Sequence, residues 1–434
     1  MSNEMIGLLC IIVLFALLAL RMWVGLAMAL AGFFGLVLML DFGRAWTSLF
    51  SQTFNNVASY SLSVIPMFVL MGCVISETDI GANLFRCLNK WLGGLHGGLS
   101  YATVLATGLL GAITGSQLTG AIVMSKVALP EMERIGYKET LSCGSIAAAS
   151  PLGILIPPST AFIIYGLLTE VSIGKLFIAG ILPGVLTILV FFATIFLLCR
   201  RDKSLAPVVP KEERPSLGEK MKSLVHVLPI LILFVLVIVG IYAGWFTATE
   251  AGAIGAFGSI LIAFISRQMD GKKLLASIRE TANLMGMIML QMLGTYILSA
   301  ALTVSGLPRM LGQVVGGLSI PPILVMVAII IMYLILGCFL PEFPMVMLTV
   351  PILYPVAQAL NFDLVWFGVM IIIVMCTGMI TPPVGTICFT LSGITKRSVG
   401  MIFKGVAPFI LAEVVVIVIM LIFPQIATFL PGLM

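Results

Sequence analysis

The sequence predicts an all-α polytopic membrane protein, and three observations support this prediction. Of its 434 residues, 60% are hydrophobic and 9% are charged, whereas about a quarter of the residues in a soluble domain are charged. Apolar stretches of roughly 20 residues, such as 177–199 and 224–241, recur along the chain, and each is long enough for a helix to cross a bilayer. Glycine and proline also recur at a fixed spacing. Most of the surface must therefore face lipid.

The fixed spacing is 225 residues, which is 382 minus 157. At this offset the pair Pro157-Pro158 falls on Pro382-Pro383. The same offset relates Gly153 to Gly378, Gly180 to Gly405, and Pro183 to Pro408. Apolar sequence alone does not produce such matches, because glycine and proline mark the breaks between elements. We therefore predict two inverted-topology repeats, at 1–203 and 224–434, joined by a cytoplasmic linker at 204–223.

Both repeats have the same predicted order of elements, which together give about ten transmembrane helices and two re-entrant helical hairpins. Three spans begin each repeat. In the first repeat they are at 5–20, 22–40 and 60–78, and in the second they are at 224–242, 247–265 and 283–303. A short amphipathic piece follows, at 80–92 or 305–318, and we place it at the membrane interface. A hairpin, a helix broken at the proline pair and a continuous final span complete each repeat.

The two predicted hairpins are long apolar segments with turn-forming residues at their centres. The first covers about 98–130 and is interrupted at Thr114-Gly115-Ser116, and the second covers about 323–355 and is interrupted at Pro341-Glu342-Phe343-Pro344. Such a segment is too long for one span and too short for two, so a re-entrant hairpin fits it best.

Basic residues predict the orientation of the chain. The loop at 200–222 is rich in lysine and arginine, which favours a cytoplasmic position. Counting crossings from this loop leaves only Arg44, Lys175 and Arg309, of the 23 lysines and arginines, on the other side. Each repeat then has five crossings, an odd number, so the second repeat enters the membrane inverted. We expect a multi-pass protein of the bacterial inner membrane.

The helix breaks predict sites for small cations and for a carboxylate. Broken helices leave backbone carbonyls free inside the membrane, and sodium prefers carbonyl, hydroxyl and carboxylate oxygens. Helix N-termini favour carboxylates. We expect sodium, and no other metal, at two sites, formed by Thr114, Ser116, Ser150 and Gly153 and by Gly337, Glu342, Thr377 and Thr381. The candidate substrate contacts are Ser116, Gln117, Ser159, Thr160 and Gly385.

Simpler interpretations exist for some of these residues. Serine and threonine in membrane helices usually bond to their own backbone, which explains any single hydroxyl as well as ligation does. Glu342 differs, because an acid in a proline-flanked break within the membrane favours a function. Glu413 lies in the middle of a predicted span without an obvious partner, and we expect it to face a second subunit.

At these same breaks the sequence resembles a known family. The segments that carry the resemblance are GAITGSQLTGAIVMSKVALPEMERIGY, SPLGILIPPSTAFIIYGLLTEVSIGKLFIAGILPG, GCFLPEFPMVMLTVPILYP and GMITPPVGTICFTLSGI. They are similar to the large membrane subunit of tripartite ATP-independent periplasmic (TRAP) transporters. Two positions depart from the family pattern: Thr114 replaces a serine, and Pro341 stands where the family commonly has an aspartate, with the acid at Glu342.

The resemblance implies a fold of the ion-transporter superfamily, with a scaffold domain and a transport domain that moves as an elevator. It also implies sodium coupling, a small four-span (four-helix) membrane subunit, and a periplasmic binding protein that delivers an organic acid. Family substrates include sialic acid and C4-dicarboxylates. We expect contact with the lipid bilayer and with no nucleic acid.

Three alternatives to this function remain open from the sequence. One is a stand-alone sodium/carboxylate symporter of the same fold. A membrane-embedded enzyme is disfavoured because the sequence has neither an HExxH motif nor a P-loop. A channel is disfavoured because two inverted hairpins suit alternating access better than a static pore.

Overall fold

The computed structural model describes residues 2–57, 59–208, 210, 214–317 and 320–434, and these residues form helices and no strands. The first half contains α1 (Asn3–Ala19), α2 (Val24–Leu40), α3 (Phe42–Val57), α4 (Val64–Ser76), α5 (Ile80–Leu92), α6 (Gly98–Thr114), α7 (Gln117–Ile135), α8 (Glu139–Ala149), α9 (Leu152–Leu155), α10 (Thr160–Thr169) and α11 (Ile173–Arg201). A short helix, α12 (Leu217–Val225), follows. The second half contains α13 (Leu228–Tyr242), α14 (Ala248–Ile265), α15 (Gly271–Ser305), α16 (Leu307–Gly317), α17 (Pro322–Gly337), α18 (Glu342–Ala359), α19 (Leu364–Ile380), α20 (Thr386–Thr395), α21 (Val399–Ile422) and α22 (Gln425–Thr428).

Many of these helices are apolar enough to lie in a membrane. Among the described residues, five helical segments are long and apolar enough to cross it, and two bent helix pairs raise the number to seven. Six shorter apolar helices accompany them. The predicted all-α polytopic membrane fold is confirmed, while the number of about ten spans stays a prediction.

Helix bounds in the two halves follow the offset of 225 residues. Adding 225 to the residue numbers of the first hairpin arms, α6 and α7, gives 323–339 and 342–360. The arms of the second hairpin, α17 and α18, are at Pro322–Gly337 and Glu342–Ala359. The halves differ where α3 and α4 are separate helices and α15 is one continuous helix of 35 residues. The inverted arrangement of the two repeats stays a prediction.

The hairpin arms extend further than the sequence predicts. We expected them to end near Pro130 and Pro355, yet α7 continues to Ile135 and α18 to Ala359. A proline removes one backbone hydrogen bond, and a helix packed against neighbours tolerates that loss. The end of α7 is instead set by Gly136, whose φ of 88° favours glycine.

Two further differences concern helices that the sequence did not predict. Helix α3 was not predicted, because its polar and aromatic residues interrupt the apolar pattern. The predicted linker is partly helical, since Ser216 and Glu219 form a capping box at the start of α12. Lys211 of the predicted basic loop and Leu318 of the second amphipathic piece lie outside the described residues.

A glycine contact joins α2 to α15. A Cβ atom on Gly294 would lie 2.0 Å from the carbonyl oxygen of Gly25, and a Cβ atom on Gly25 would lie 2.7 Å from that of Leu290. The two backbones therefore touch, as small residues allow in membrane helices.

Replacing Gly294 with alanine should destabilise the protein by about 1–3 kcal/mol, because two backbones cannot yield to the added methyl group. The thermal unfolding midpoint in detergent measures this effect. The matched control is Gly286→Ala on the same helix, where a Cβ atom meets nothing within 4 Å, so the midpoint should stay the same or rise. An unchanged midpoint for both variants would contradict the contact.

Candidate functional site

The first hairpin turns at Gly115 and Ser116. Gly115 has a φ of 62°, in the left-handed region that glycine adopts at little cost. The Ser116 hydroxyl then caps α7 by accepting a hydrogen bond from the Thr119 N–H at 3.3 Å. Thr114, the last residue of α6, donates its hydroxyl proton to the Leu110 carbonyl at 2.8 Å. The turn therefore places backbone carbonyls and two hydroxyl oxygens together at the tip.

This tip lies against the first broken helix. A Cβ atom on Gly153 would lie 2.5 Å from the Cα atom of Gly111, so α6 and α9 cross in backbone contact. The Thr160 hydroxyl, at the start of α10, donates to the Gly115 carbonyl at 3.3 Å. Tip and break are thus joined on both sides of the cis Pro157-Pro158 bond.

Two other predicted residues of this half have local roles. The Ser150 hydroxyl donates to the Ile146 carbonyl at 2.7 Å, and the Ser159 hydroxyl accepts a bond from the Phe162 N–H at 3.4 Å. Both side chains are buried. The Ser150 hydroxyl donates its proton and keeps lone pairs for a cation, so its bond is compatible with ligation.

The second half repeats the arrangement. A Cβ atom on Gly337 would lie 3.0 Å from the Cα atom of Gly378, where α17 crosses α19. The Gly385 N–H, beyond the cis Pro382-Pro383 bond, donates to the Cys338 carbonyl at 3.2 Å. Tip and break are joined here as well.

The hydroxyls predicted for the second sodium site point back to the helix. Thr377 donates to the Ile373 carbonyl at 3.0 Å, and Thr381 donates to the Thr377 carbonyl at 2.6 Å. The oxygen atoms of these threonines can still accept a cation.

The second break lies slightly earlier than expected. We predicted it at Pro341-Glu342-Phe343-Pro344, but the structure places the turn before Glu342, which begins α18. A proline within the first turn of a helix, such as Pro344, is tolerated because the first N–H groups lack helical partners anyway. The Glu342 carboxylate therefore lies in a first helical turn, where the helix dipole favours a negative charge.

A direct hydrogen bond joins the two hairpins. The Gln117 amide nitrogen donates to the Glu342 carboxylate at 2.5 Å, and the two positions are related by the offset of 225 residues. Gln117 is buried, and its amide oxygen has no partner among the described residues. The broken helices also meet, since the Cys376 thiol lies 3.4 Å from the Pro151 carbonyl at another pair of equivalent positions. The two halves therefore bring their breaks to one place.

A cavity of about 460 Å³ opens beside the tips. Ser116, Thr160 and Glu342 line it, and residues of α4 and α15 form another part of its wall. Gln117, Ser159 and Gly385, which we predicted as substrate contacts, are not among the residues that line it.

Sequence reasoning missed the wall formed by α15. Its polar lining residues are Ser277, Glu280 and Gln291, with Leu284 between them. Spacings of three, four and seven residues place these side chains on one helix face. The regular spacing of these polar residues along a mostly apolar helix was the sequence signal that could have predicted this wall.

The cavity has an unusual charge balance for an anion site. Three glutamates line it, Glu77, Glu280 and Glu342, and its described lining contains no lysine or arginine. Every charged side chain in this lining is acidic, so an organic acid entering the cavity would meet no compensating positive charge from its described lining.

Glu413 does not lie where we expected. The side chain is 3% exposed, so it is buried within this chain and does not face a second subunit. Thr377 lies beside it, and the carboxylate oxygen Oε2 has no hydrogen-bond partner among the described residues. The expectation was wrong because one sequence position does not tell which face of α21 packs inward.

Apolar helices, paired hairpins and a cavity beside the hairpin tips are typical of a polytopic membrane transporter. The family model "Tripartite ATP-independent periplasmic transporter, DctM component" matches residues 11–426, so the chain belongs to this family. The resemblance inferred from the sequence is confirmed, and the protein is a multi-pass transport protein, not an enzyme.

Individual relatives agree with this assignment. The C4-dicarboxylate TRAP transporter large permease protein DctM of Pseudomonas aeruginosa is 32% identical over 386 residues, 89% of each chain. The sialic acid TRAP transporter large permease protein SiaM of Vibrio cholerae is 28% identical over 383 residues, 88% of each chain. The solved structure of the Alcanivorax borkumensis YdaH transporter superposes with a TM-score of 0.66 at 14% identity, covering 89% of this chain and 90% of that one, which shows a shared fold.

Proposed function

We propose that this chain is the large subunit of a sodium-coupled TRAP transporter that takes up an organic acid across the bacterial inner membrane. The observation that supports this most is the cavity beside the two tips, where three glutamates and no lysine or arginine line the described wall. A carboxylate substrate needs positive charge there, and bound cations would supply it.

Oxygen atoms near the cavity suit sodium. The first site would use Thr114 and Ser116 of the tip with Ser150 and Gly153 of the break. These residues provide hydroxyl and carbonyl oxygens, which hard cations prefer. The second site would use Gly337 and Glu342 with Thr377 and Thr381, as the sequence predicts, and the buried Glu413 side chain lies beside Thr377. Sodium, when bound, supplies the charge that the lining lacks.

Movement would follow from the two walls of the cavity. The two hairpin tips and Thr160 of the first broken helix line one part of the cavity, and α4 and α15 line the other. We propose that the first group moves across the membrane as an elevator against a scaffold that contains the second. Helices α5 and α16 would connect the two groups.

The substrate class and partners are inferred from the family. The relatives named above transport C4-dicarboxylates and sialic acid, and both substrates are organic acids. We propose a substrate of this class, delivered by a periplasmic binding protein, and a small four-span membrane subunit as partner. The loop at 200–222 would then face the cytoplasm.

Uptake into proteoliposomes tests the proposed function. The chain would be reconstituted with its small subunit and binding protein, and labelled organic acids would be offered with an inward sodium gradient. We expect uptake with sodium and almost none when potassium replaces sodium on both sides. Equal uptake without sodium would overturn the coupling.

The alternative is a stand-alone sodium/carboxylate symporter of the same fold. Omitting the binding protein from the same proteoliposomes separates the two functions. Loss of uptake supports the tripartite system, whereas full uptake by the chain alone supports the alternative.

A further inference from the structure

A second cavity is lined by a different set of residues from the cavity beside the hairpin tips. It has a volume of about 570 Å³ and shares no lining residue with the cavity beside the tips. Four basic side chains line it: Arg86 and Lys90 from α5, Lys126 from α7, and Lys222 from α12. The cavity thus collects positive charge from three helices that are distant in sequence.

These charges form no salt bridge in the described part of the chain, and Glu219 of α12 interacts with Lys90 and Lys222 only at longer range. None of the four side chains lies within 4.0 Å of a carboxylate oxygen among the described residues. The one acid in the lining, Glu131, is bound to Arg134 at 2.9 Å. Four like charges around one cavity repel each other, so an anion placed among them would be stabilised.

Two asparagine amides add neutral donors to the lining, while the Ser223 hydroxyl already donates to the Lys220 carbonyl at 2.6 Å. Asn83, Asn89 and Ser223 line the same cavity, and Asn83 already orients Arg86 by accepting its guanidinium N–H at 3.2 Å. Lysine, arginine and amide donors converging from several directions match the acceptor oxygens of a phosphate group. A planar carboxylate has fewer oxygens with which to reach donors on three helices.

We propose that the cavity bounded by Arg86, Lys90, Lys126 and Lys222 binds a phosphate-bearing anion. The ligand chemistry is a phosphate group, carried either by an anionic phospholipid or by a soluble molecule. Basic pockets on the cytoplasmic side of membrane helices suit such head groups, and we predict this side to be cytoplasmic. The anion would tie the linker helix α12 to the hairpin arm α7 through α5.

The test uses the full chain in two arms. In the first, purified protein is exposed to equal amounts of phosphatidylglycerol and phosphatidylcholine, and native mass spectrometry counts the retained lipids. In the second, pyrophosphate is titrated in lipid-free detergent at fixed sodium concentration and ionic strength, and the thermal unfolding midpoint is measured.

A charge-matched pair of variants gives specificity. The test variant is Lys90→Gln/Lys126→Gln/Lys222→Gln, and the control is Lys203→Gln/Lys272→Gln/Lys404→Gln, which removes the same charge outside the cavity. We expect the test variant to lose affinity at least about tenfold, since each surface cation near an anionic lipid contributes measurably. The control should bind like the unchanged protein. Unfolding midpoints without ligand show that both variants fold.

Each outcome is decisive. Selective loss of phosphatidylglycerol in the test variant supports the proposal with a lipid source. If pyrophosphate no longer raises the unfolding midpoint of the test variant but still raises that of the control, the proposal is supported and the ligand is a soluble phosphate. Equal behaviour of the test and control variants in both arms overturns it. Neither arm measures transport, so the result is independent of the proposed function.

Discussion

Replacing Glu342 with glutamine is expected to reduce sodium-driven uptake by roughly 10- to 100-fold. This range corresponds to the free energy lost when a charged group that binds a ligand becomes neutral. Glutamine keeps the size of the side chain and can still bond to Gln117, which contacts Glu342 at 2.5 Å. The variant therefore removes the charge beside the proposed second sodium site and retains the contact between hairpins. We expect the main change in the sodium concentration that gives half-maximal uptake.

The matched control is Glu280→Gln. Glu280 lines the same cavity but is exposed and belongs to α15, where water screens its charge. Uptake and its sodium dependence should change little in this variant. If the two variants shift the sodium dependence equally, Glu342 has no special role as a cation ligand.

Replacing Gly153 with valine is expected to abolish uptake. A Cβ atom there would lie 2.5 Å from the Cα atom of Gly111, and two crossing backbones cannot move apart without displacing the first tip from its break. Overpacking of this kind costs about 1–3 kcal/mol or more, and the lost geometry should disable the first proposed sodium site. Uptake in proteoliposomes measures function, and the unfolding midpoint measures stability.

Two further variants complete this experiment. Gly378→Val, at the equivalent position, should have a similar effect, because its Cβ atom would lie 2.9 Å from the Cα atom of Gly337. Gly393→Ala in α20 serves as control, since a Cβ atom there meets nothing within 4 Å. Normal uptake by Gly153→Val would show that the crossing does not support the site.

Backbone features of this protein were predictable because they depend on local sequence. Apolar composition and length predicted the all-α membrane fold. The proline pairs and Gly115 predicted three of the four breaks closely, since proline and glycine limit backbone geometry wherever they occur. The fourth break shifted because Pro344 fits within a first helical turn.

Contacts between helices were not predictable in the same way. The bond between Gln117 and Glu342, the burial of Glu413 and the polar wall of α15 each depend on which helix faces meet. In a chain whose helices are apolar on most sides, hydrophobic pattern does not distinguish a lipid-facing surface from an interior one. The sequence by itself therefore determined where the backbone breaks, and only the tertiary structure decided which side chains gather around the breaks.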